Sequence, residues 1–317
     1  MVEKVSFFQD LKSNLAWLFS MQDIDEHTVI KLFGLKICKK HKVKFDFKEV
    51  NEIGVTIEKR TPKLIVSLTT FPARINLVYK TISTLLQQTL KPDEVVLWLA
   101  DEQFPNRELP KNLTHLQEFG LSIKWCEDIK SFKKLIPSLR EFPEDIIVTV
   151  DDDNYYDKRV LEFLYNSYLK NPKNIHARQA FRVKSDNDFK LSINARNYVY
   201  DSTYLPSYLN EPVGCGGVLY PPHCLHLDVL NEEVFMEIIP TNDDIWFWAH
   251  ALMNNTKIEV IKDNYKLKMF VIENSQEDSL WKRNMNNTTI GLNGNDAVNL
   301  MKDKYPEIKQ NLESELV

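Results

Sequence analysis

From residue 62 onward, short apolar runs alternate with longer stretches whose apolar residues fall three or four apart. "KLIVSLTT" (63–70), "EVVLWLA" (94–100), "LSIKWCE" (121–127) and "DIIVTV" (145–150) have the length and near-continuous apolar character of buried strands. Between them, "INLVYKTISTLLQQ" (75–88) puts Ile75, Val78, Ile82, Leu85 and Leu86 on one helical stripe, with Pro92 as a stop signal. "LPKNLTHLQEFG" (109–120) predicts a helix closed by Gly120. "SFKKLIPSLREFP" (131–143) predicts a helical segment interrupted by Pro137, and "KRVLEFLYNSYLKN" (158–171) predicts a further helix. Strands and helices alternating at this spacing predict an α/β fold, a mostly parallel sheet with helices on both faces. Ligands of such sheets bind beyond the carboxyl ends of the strands.

The flanking regions are patterned differently. "NIHARQAF" (174–181) and "KIEVIK" (257–262) predict strands, residues 182–211 a hairpin and a loop, and "TNDDIWFWAHALMNN" (241–255) an aromatic helix with a polar start. Residues 284–296 are Asn-rich, and a charged helix ends the chain. At the other end, Phe7, Phe8, Leu11, Leu15 and Leu18 form an apolar stripe over 7–19, followed by Lys31, Lys36, Lys39, Lys40, Lys42 and Lys44. Two readings stand: an element docked on the core, or a basic and apolar surface resting on anionic lipid. The expected organisation is an N-terminal extension over 1–60, a main domain over 61–300 and a C-terminal helix and tail over 301–317.

Composition narrows the class. A net charge of −5 does not suggest a nucleic-acid partner, which would favour a strongly basic face. No stretch of about 18 apolar residues offers a membrane span. Cys38, Cys126, Cys215 and Cys224 show no C-x-x-C spacing and follow no secretory signal, so free thiols in a reducing, cytoplasmic compartment are expected.

Candidate chemistry begins at "IIVTVDDDNYY" (146–156), where an apolar strand runs into three aspartates. On an extended chain Asp151 and Asp153 face the same side. Two carboxylates presented together suit Mg²⁺ or Mn²⁺, with diphosphate oxygens completing the shell. The alternative is a solvated turn capping the helix near Lys158, a task Asp157 can fill alone. "TNDDIWFW" sets Asp243 and Asp244 at a helix start, as a cap or as a general base with a partner. "PVGCGGVLYPP" (212–222) brings Gly214, Gly216 and Gly217 together, as a turn or as backbone on which a sugar lies. Trp246 and Trp248 point to different sides of one helix, so one at most stacks on a sugar. His223 and His226 flank Cys224 without a second half-site, which favours structural roles. Arg178 and Arg182 follow a strand, for phosphate or for local acids.

"VSLTTFPARI" (66–75), "FKKLIPSL" (132–139), "IIVTVDDDNYY", "GCGGVLYPP" and "TNDDIWF" resemble, in this order, bacterial glycosyltransferases of the family 2 type, which have the GT-A fold and build lipopolysaccharide or capsular glycans. The resemblance covers roughly residues 62–300. It implies a Rossmann-like GT-A sheet and transfer of a hexosyl group, with inversion, from a UDP- or GDP-linked nucleotide sugar. The acceptor would be a glycan or a lipid-linked glycan, met at the inner face of the cytoplasmic membrane. Thr69, Phe71 and Arg74 would hold the nucleoside and Asp101 the base. Lys133 and Lys134 would approach the diphosphate. Asp151 and Asp152 would face the donor, and Asp153 with Asp151 would hold the metal. Asp244 would be the base and Asp243 its neighbour on the acceptor, with Gly216, Gly217 and Trp246 lining the acceptor side. "LADEQFP" departs from the Asp-Gly-Ser turn usual after the second strand, which weakens the assignment at Asp101. Two other readings remain. A nucleotidyltransferase of similar fold usually carries a Gly-rich, basic signature after its first strand, and "TTFPARI" lacks it. A non-catalytic carbohydrate-binding module has no need of acids at both a strand end and a helix start.

Overall fold

In the computed structural model of the chain, residues 45–58, 60–193, 205–277 and 294–315 are described in full, with the backbone of a few strands outside them. Strands β1 (Phe19–Ile24), β2 (His27–Leu32) and β3 (Leu35–Lys40) pair in sequence as an antiparallel sheet. The lysine-bearing segment is therefore extended rather than helical over these ranges. The apolar stripe expected over 7–19 lies outside the described residues up to residue 18.

The main sheet starts at β4 (Leu64–Thr69), β5 (Glu94–Ala100), β6 (Leu121–Cys126) and β7 (Ile146–Thr149), all mutually parallel. Short strands follow: β8 (Asn154–Tyr156), β9 (Ile175–Ala177), β10 (Ala180–Arg182), β11 (Lys184–Ser185), β12 (Leu191–Ser192) and β13 (Tyr198–Val199). The last are β14 (Asn210–Pro212), β15 (Val218–Tyr220), β16 (Ile258–Val260) and β17 (Met269–Val271). Seven of them form one sheet in the order β16-β9-β15-β7-β4-β5-β6. Within it only β15 runs against its neighbours β7 and β9. The fold is α/β and Rossmann-like, as the alternation of runs predicts.

The period of two decides which residues face which layer. On β4, Leu64, Val66 and Leu68 join a core with Val78, Ile82 and Leu85 of the helix Val78–Leu85 and Leu161 and Leu164 of the helix Val160–Lys170. Ile147, Val218 and Tyr220 point the other way, into a core with Phe132, Phe235 and the helix Asp243–Met253. Helices thus cover both faces. The terminal helices Gly294–Lys304 and Pro306–Leu316 add Val298, Met301, Ile308 and Leu312 to this second core. No helix among the described residues is long and apolar enough to cross a membrane.

Three local expectations are corrected. Residues 109–120 form a short α-helix, Lys111–Thr114, and then a 3-10 helix, His115–Phe119, closed by Gly120 at φ +112°. Pro137 does not interrupt one helix; it sits in the first turn of its own, Ile136–Glu141, where its missing N–H costs nothing. The aspartates do not prolong β7. The chain turns over Asp152 and Asp153 and re-extends at β8, so the two-residue alternation does not govern them.

Candidate active site

The turn after β7 brings its three carboxylates to different partners. Asp152 is buried, and its oxygens accept from Arg74 Nη1 at 2.6 Å and Thr70 Oγ1 at 2.5 Å. Its carbonyl accepts from Thr81 Oγ1 at 2.9 Å. Arg74 also lies 3.0 Å from Asp153 Oδ2. Asp153 accepts further from Asn154 Nδ2 at 2.6 Å and Gln276 Nε2 at 2.8 Å. Burial works against the Arg74 charge, yet Asp152 and Asp153 hold its pKa above the ordinary value. Burial, with the charges of Asp151 and Asp152, pushes Asp153 up to about 7. For Asp152 burial outweighs the attraction of Arg74, so that carboxyl is raised too.

Asp151 turns away from this clamp to Lys134, 3.2 Å from its Nζ. The same ammonium is 2.8 Å from Asp243 Oδ2 and 3.0 Å from Asp244 Oδ1. Lys134 comes from a 3-10 turn, Lys130–Lys134, that runs under the ends of β4 and β5. Its backbone is fixed there by Ser67 Oγ, which donates to the Lys134 carbonyl at 2.7 Å. The three carboxylates hold Lys134 well above its usual pKa in spite of burial. Asp244 also accepts from the Gly214 N–H at 2.8 Å, and Asp243 from Ser131 Oγ at 2.8 Å. Burial, with Asp243 and Asp151 nearby, lifts Asp244 to about 6 against the pull of Lys134. The Asp151 and Asp244 side chains are 33% and 31% exposed, so these two acids are open to a ligand.

A Cβ on Gly214 would lie 2.4 Å from Asp244 Oδ1 and 2.6 Å from Lys134 Nζ, so a larger residue would displace this pair. The loop is tied to the aspartate turn by Tyr156, whose hydroxyl accepts from the Asp151 N–H at 2.9 Å and donates to the Cys215 carbonyl at 2.8 Å. Sequence reasoning missed Tyr156, Thr70, Gln276 and the buried Glu211, which lies close enough to Asp244 and Asp243 for their charges to raise its carboxyl further. The "DDDNYY" aromatics are a visible signal for Tyr156 and "VSLTTFPARI" contains Thr70; Gln276 and Glu211 stand in stretches without a pattern.

The remaining candidates are placed as follows. Thr69 Oγ1 donates to the Trp98 carbonyl at 2.8 Å, and the Phe71 ring lies under the Arg74 guanidinium at 5.4 Å. Asp101, at the end of β5, is half-exposed and paired with Arg107 at 2.6 Å. Lys133 is separated from Lys134's cluster: it is buried and pairs with Asp128. Gly216 and Gly217 are buried, and their N–H groups are spent inside the loop on the carbonyls of Val213 and Gly214. They offer no free donors to a sugar, contrary to expectation. Trp246 is also corrected: it is 0% exposed, donates its indole N–H to the Val229 carbonyl, and packs on Phe235, His250 and Tyr305. His223 pairs with Glu144 on the surface, and His226 accepts from the Asp228 N–H, both structural roles. Arg178 donates to the Leu267 carbonyl and Arg182 to Ser207 and Asn210. Among the described residues, no group of three or more His, Cys, Asp or Glu is set to hold a metal by itself.

No protein-family model and no curated protein matches the chain. Among solved structures it is similar to S. aureus TarS residues 1–349, at 16% identity and a TM-score of 0.42, over 63% of this chain and 58% of that one. The same fragment in complex with UDP-GlcNAc gives 15% identity and 0.42, over 63% and 56%. S. aureus TarS as a longer chain gives 15% and 0.42, over 63% and 35%. The chain spans less than two thirds of the length of each of these structures.

Proposed function

We propose that this chain transfers a sugar from a nucleotide-diphosphate donor to a hydroxyl of a glycan acceptor, in one displacement that inverts the anomeric centre. The observation that carries the reading is Lys134, a buried ammonium at the carboxyl end of a mostly parallel sheet, shared by Asp151, Asp243 and Asp244. Asp244 takes the proton of the attacking hydroxyl. It is the more open of its pair, and a carboxyl lifted to about 6 is ionised at neutral pH while being a stronger base than an ordinary aspartate. Lys134 keeps Asp244 charged and oriented, and Gly214 fixes its second oxygen. Asp243, seated on Ser131, positions the helix start.

The donor end has a charge problem. Among the described residues, the cations paired with Asp151, Asp152, Asp153, Asp243 and Asp244 are Arg74 and Lys134. A diphosphate needs added positive charge to enter. Mg²⁺ or Mn²⁺ fits, because such ions take one or two carboxylates and complete their shell with water and phosphate oxygens. Asp151, with one ammonium contact and an open face, and Asp153 are the residues that would hold it. The ion supplies neutralisation of the leaving diphosphate. Asp152, locked by Arg74 and Thr70, keeps the turn in place.

The test is calorimetry of the full chain with UDP and GDP, with and without Mn²⁺, followed by donor hydrolysis with a panel of UDP- and GDP-hexoses. Metal-dependent binding of one diphosphate and slow release from its sugar are expected. Binding of neither, in either condition, removes the reading. A nucleotidyltransferase would instead consume a nucleoside triphosphate.

A further inference from the structure

Glu211 stands on β14, opposite Phe181 of β10, and the helix Asp243–Met253 packs over that strand. It is 4% exposed. Among the described residues its side chain makes no hydrogen bond and no ion pair. The charged groups that face it are Asp244, Asp243 and Lys134 of the cluster described above. A carboxyl this well covered has given up most of its water and gains no partner from the described residues in exchange. Burial first, then the two aspartates, raise its pKa well above the ordinary value, which favours the protonated form. A neutral carboxyl both donates and accepts, which is the complement of a sugar hydroxyl.

We infer that Glu211 is a specificity-determining residue of the acceptor subsite, holding a second hydroxyl of a hexopyranoside beside the hydroxyl that Asp244 deprotonates. The inference rests on the transferase reading and adds a subsite to it. The base fixes where the reacting hydroxyl lies, and Glu211 is the one carboxyl of this neighbourhood with no protein partner among the described residues. It makes no contact with Asp151 or Asp153, so it belongs to the acceptor side and not to the diphosphate.

Glu211→Leu and Glu211→Gln separate this from a structural role. Full-chain protein is assayed with the UDP- and GDP-hexose panel and methyl hexopyranosides as acceptors, reading nucleotide release, and melted in parallel. Glu211→Leu should raise the acceptor KM about 10–100-fold, the loss of one buried hydrogen-bond partner. It should leave nucleotide binding and acceptor-independent hydrolysis within about twofold, because the diphosphate side is untouched, with Tm equal or higher since an unpaired polar group has gone. Glu211→Gln, whose amide also donates and accepts, should stay within about fivefold of the parent KM. Glu211→Leu with the parent's acceptor KM overturns the assignment, as does a variant that melts lower and loses nucleotide binding and transfer together. A parent that hydrolyses donor but is stimulated by none of the glycosides overturns the hexopyranoside subsite and leaves the transferase reading standing. A parent that binds neither UDP nor GDP removes both.

Discussion

Around Arg74, two carboxylates meet one guanidinium and a row of neutral donors; around Lys134, three carboxylates meet one ammonium. Both groups are rooted in the same turn after β7, and both hold acids whose pKa values burial raises. They differ in openness. Asp152 and Asp153 are covered and accept from Thr70, Asn154 and Gln276 as well as Arg74. Asp151 and Asp244 keep about a third of their side chains accessible. The contrast separates two uses of one residue type: Asp152, locked on Arg74 and Thr70, shapes the chain, and Asp151 and Asp244, each with an open face, are directly reachable by a ligand.

The comparison breaks most sharply at Asp244. Asp244→Asn keeps size and can still accept from Gly214, so the fold and nucleotide binding should persist while transfer falls by about two to four orders of magnitude. Initial rates with saturating donor measure it; transfer at the parent rate would reduce Asp243 and Asp244 to a helix cap. On the clamp side, Arg74→Met strands Asp152 and Asp153 without their cation. Denaturant melts at pH 7.5 should show a loss of about 3–5 kcal/mol, the usual result of removing one partner of a buried pair. Lowering the pH to 5 should restore part of it, since the stranded carboxyls can then protonate. A loss that does not change with pH would place the effect in packing.

The smallest effect sharpens the contrast. Asp153 sits at about 7 in the folded chain against 3.8 for the ordinary group. Between those values the folded state holds a proton that the unfolded state has released, so this group's contribution to stability falls as pH rises from about 4 to 7. Asp153→Asn removes that penalty. In the presence of chelator, the variant and the parent should melt together at pH 4, with the variant on the order of 2–4 °C higher at pH 8. Added Mn²⁺ at pH 8 should raise the parent and not the variant; an equal rise in both would exclude Asp153 from the metal site.

The same contrast marks what could be read from the chain beforehand. β5 occupies the whole run "EVVLWLA", and Val78, Ile82 and Leu85 lie on one buried stripe, because both patterns follow from burial against a sheet. Asp151, Asp153 and Asp244 stood out as charges next to apolar runs, and Lys134 through the resemblance. The turn at Asp152 was not legible, because it is set by Thr70, Arg74 and Thr81 from a distant segment. Trp246 is core and not ligand-facing because "DIWFWAHAL" carries apolar residues on all sides, the mark of a helix buried all round. Glu211 gave no signal because it lies in a polar stretch, and only the packing of β14 under a helix brings it to Asp244.

A single ammonium is the common counter-ion of residues 151, 243 and 244, so none of these positions has an energy of its own. Removing one carboxylate tightens Lys134 on the other two, and a second removal then meets a different site from the first. Substitutions here are epistatic by construction. A lineage altering this chain's acidic cluster could not walk through it one residue at a time at constant effect; each step would reset the value of the next.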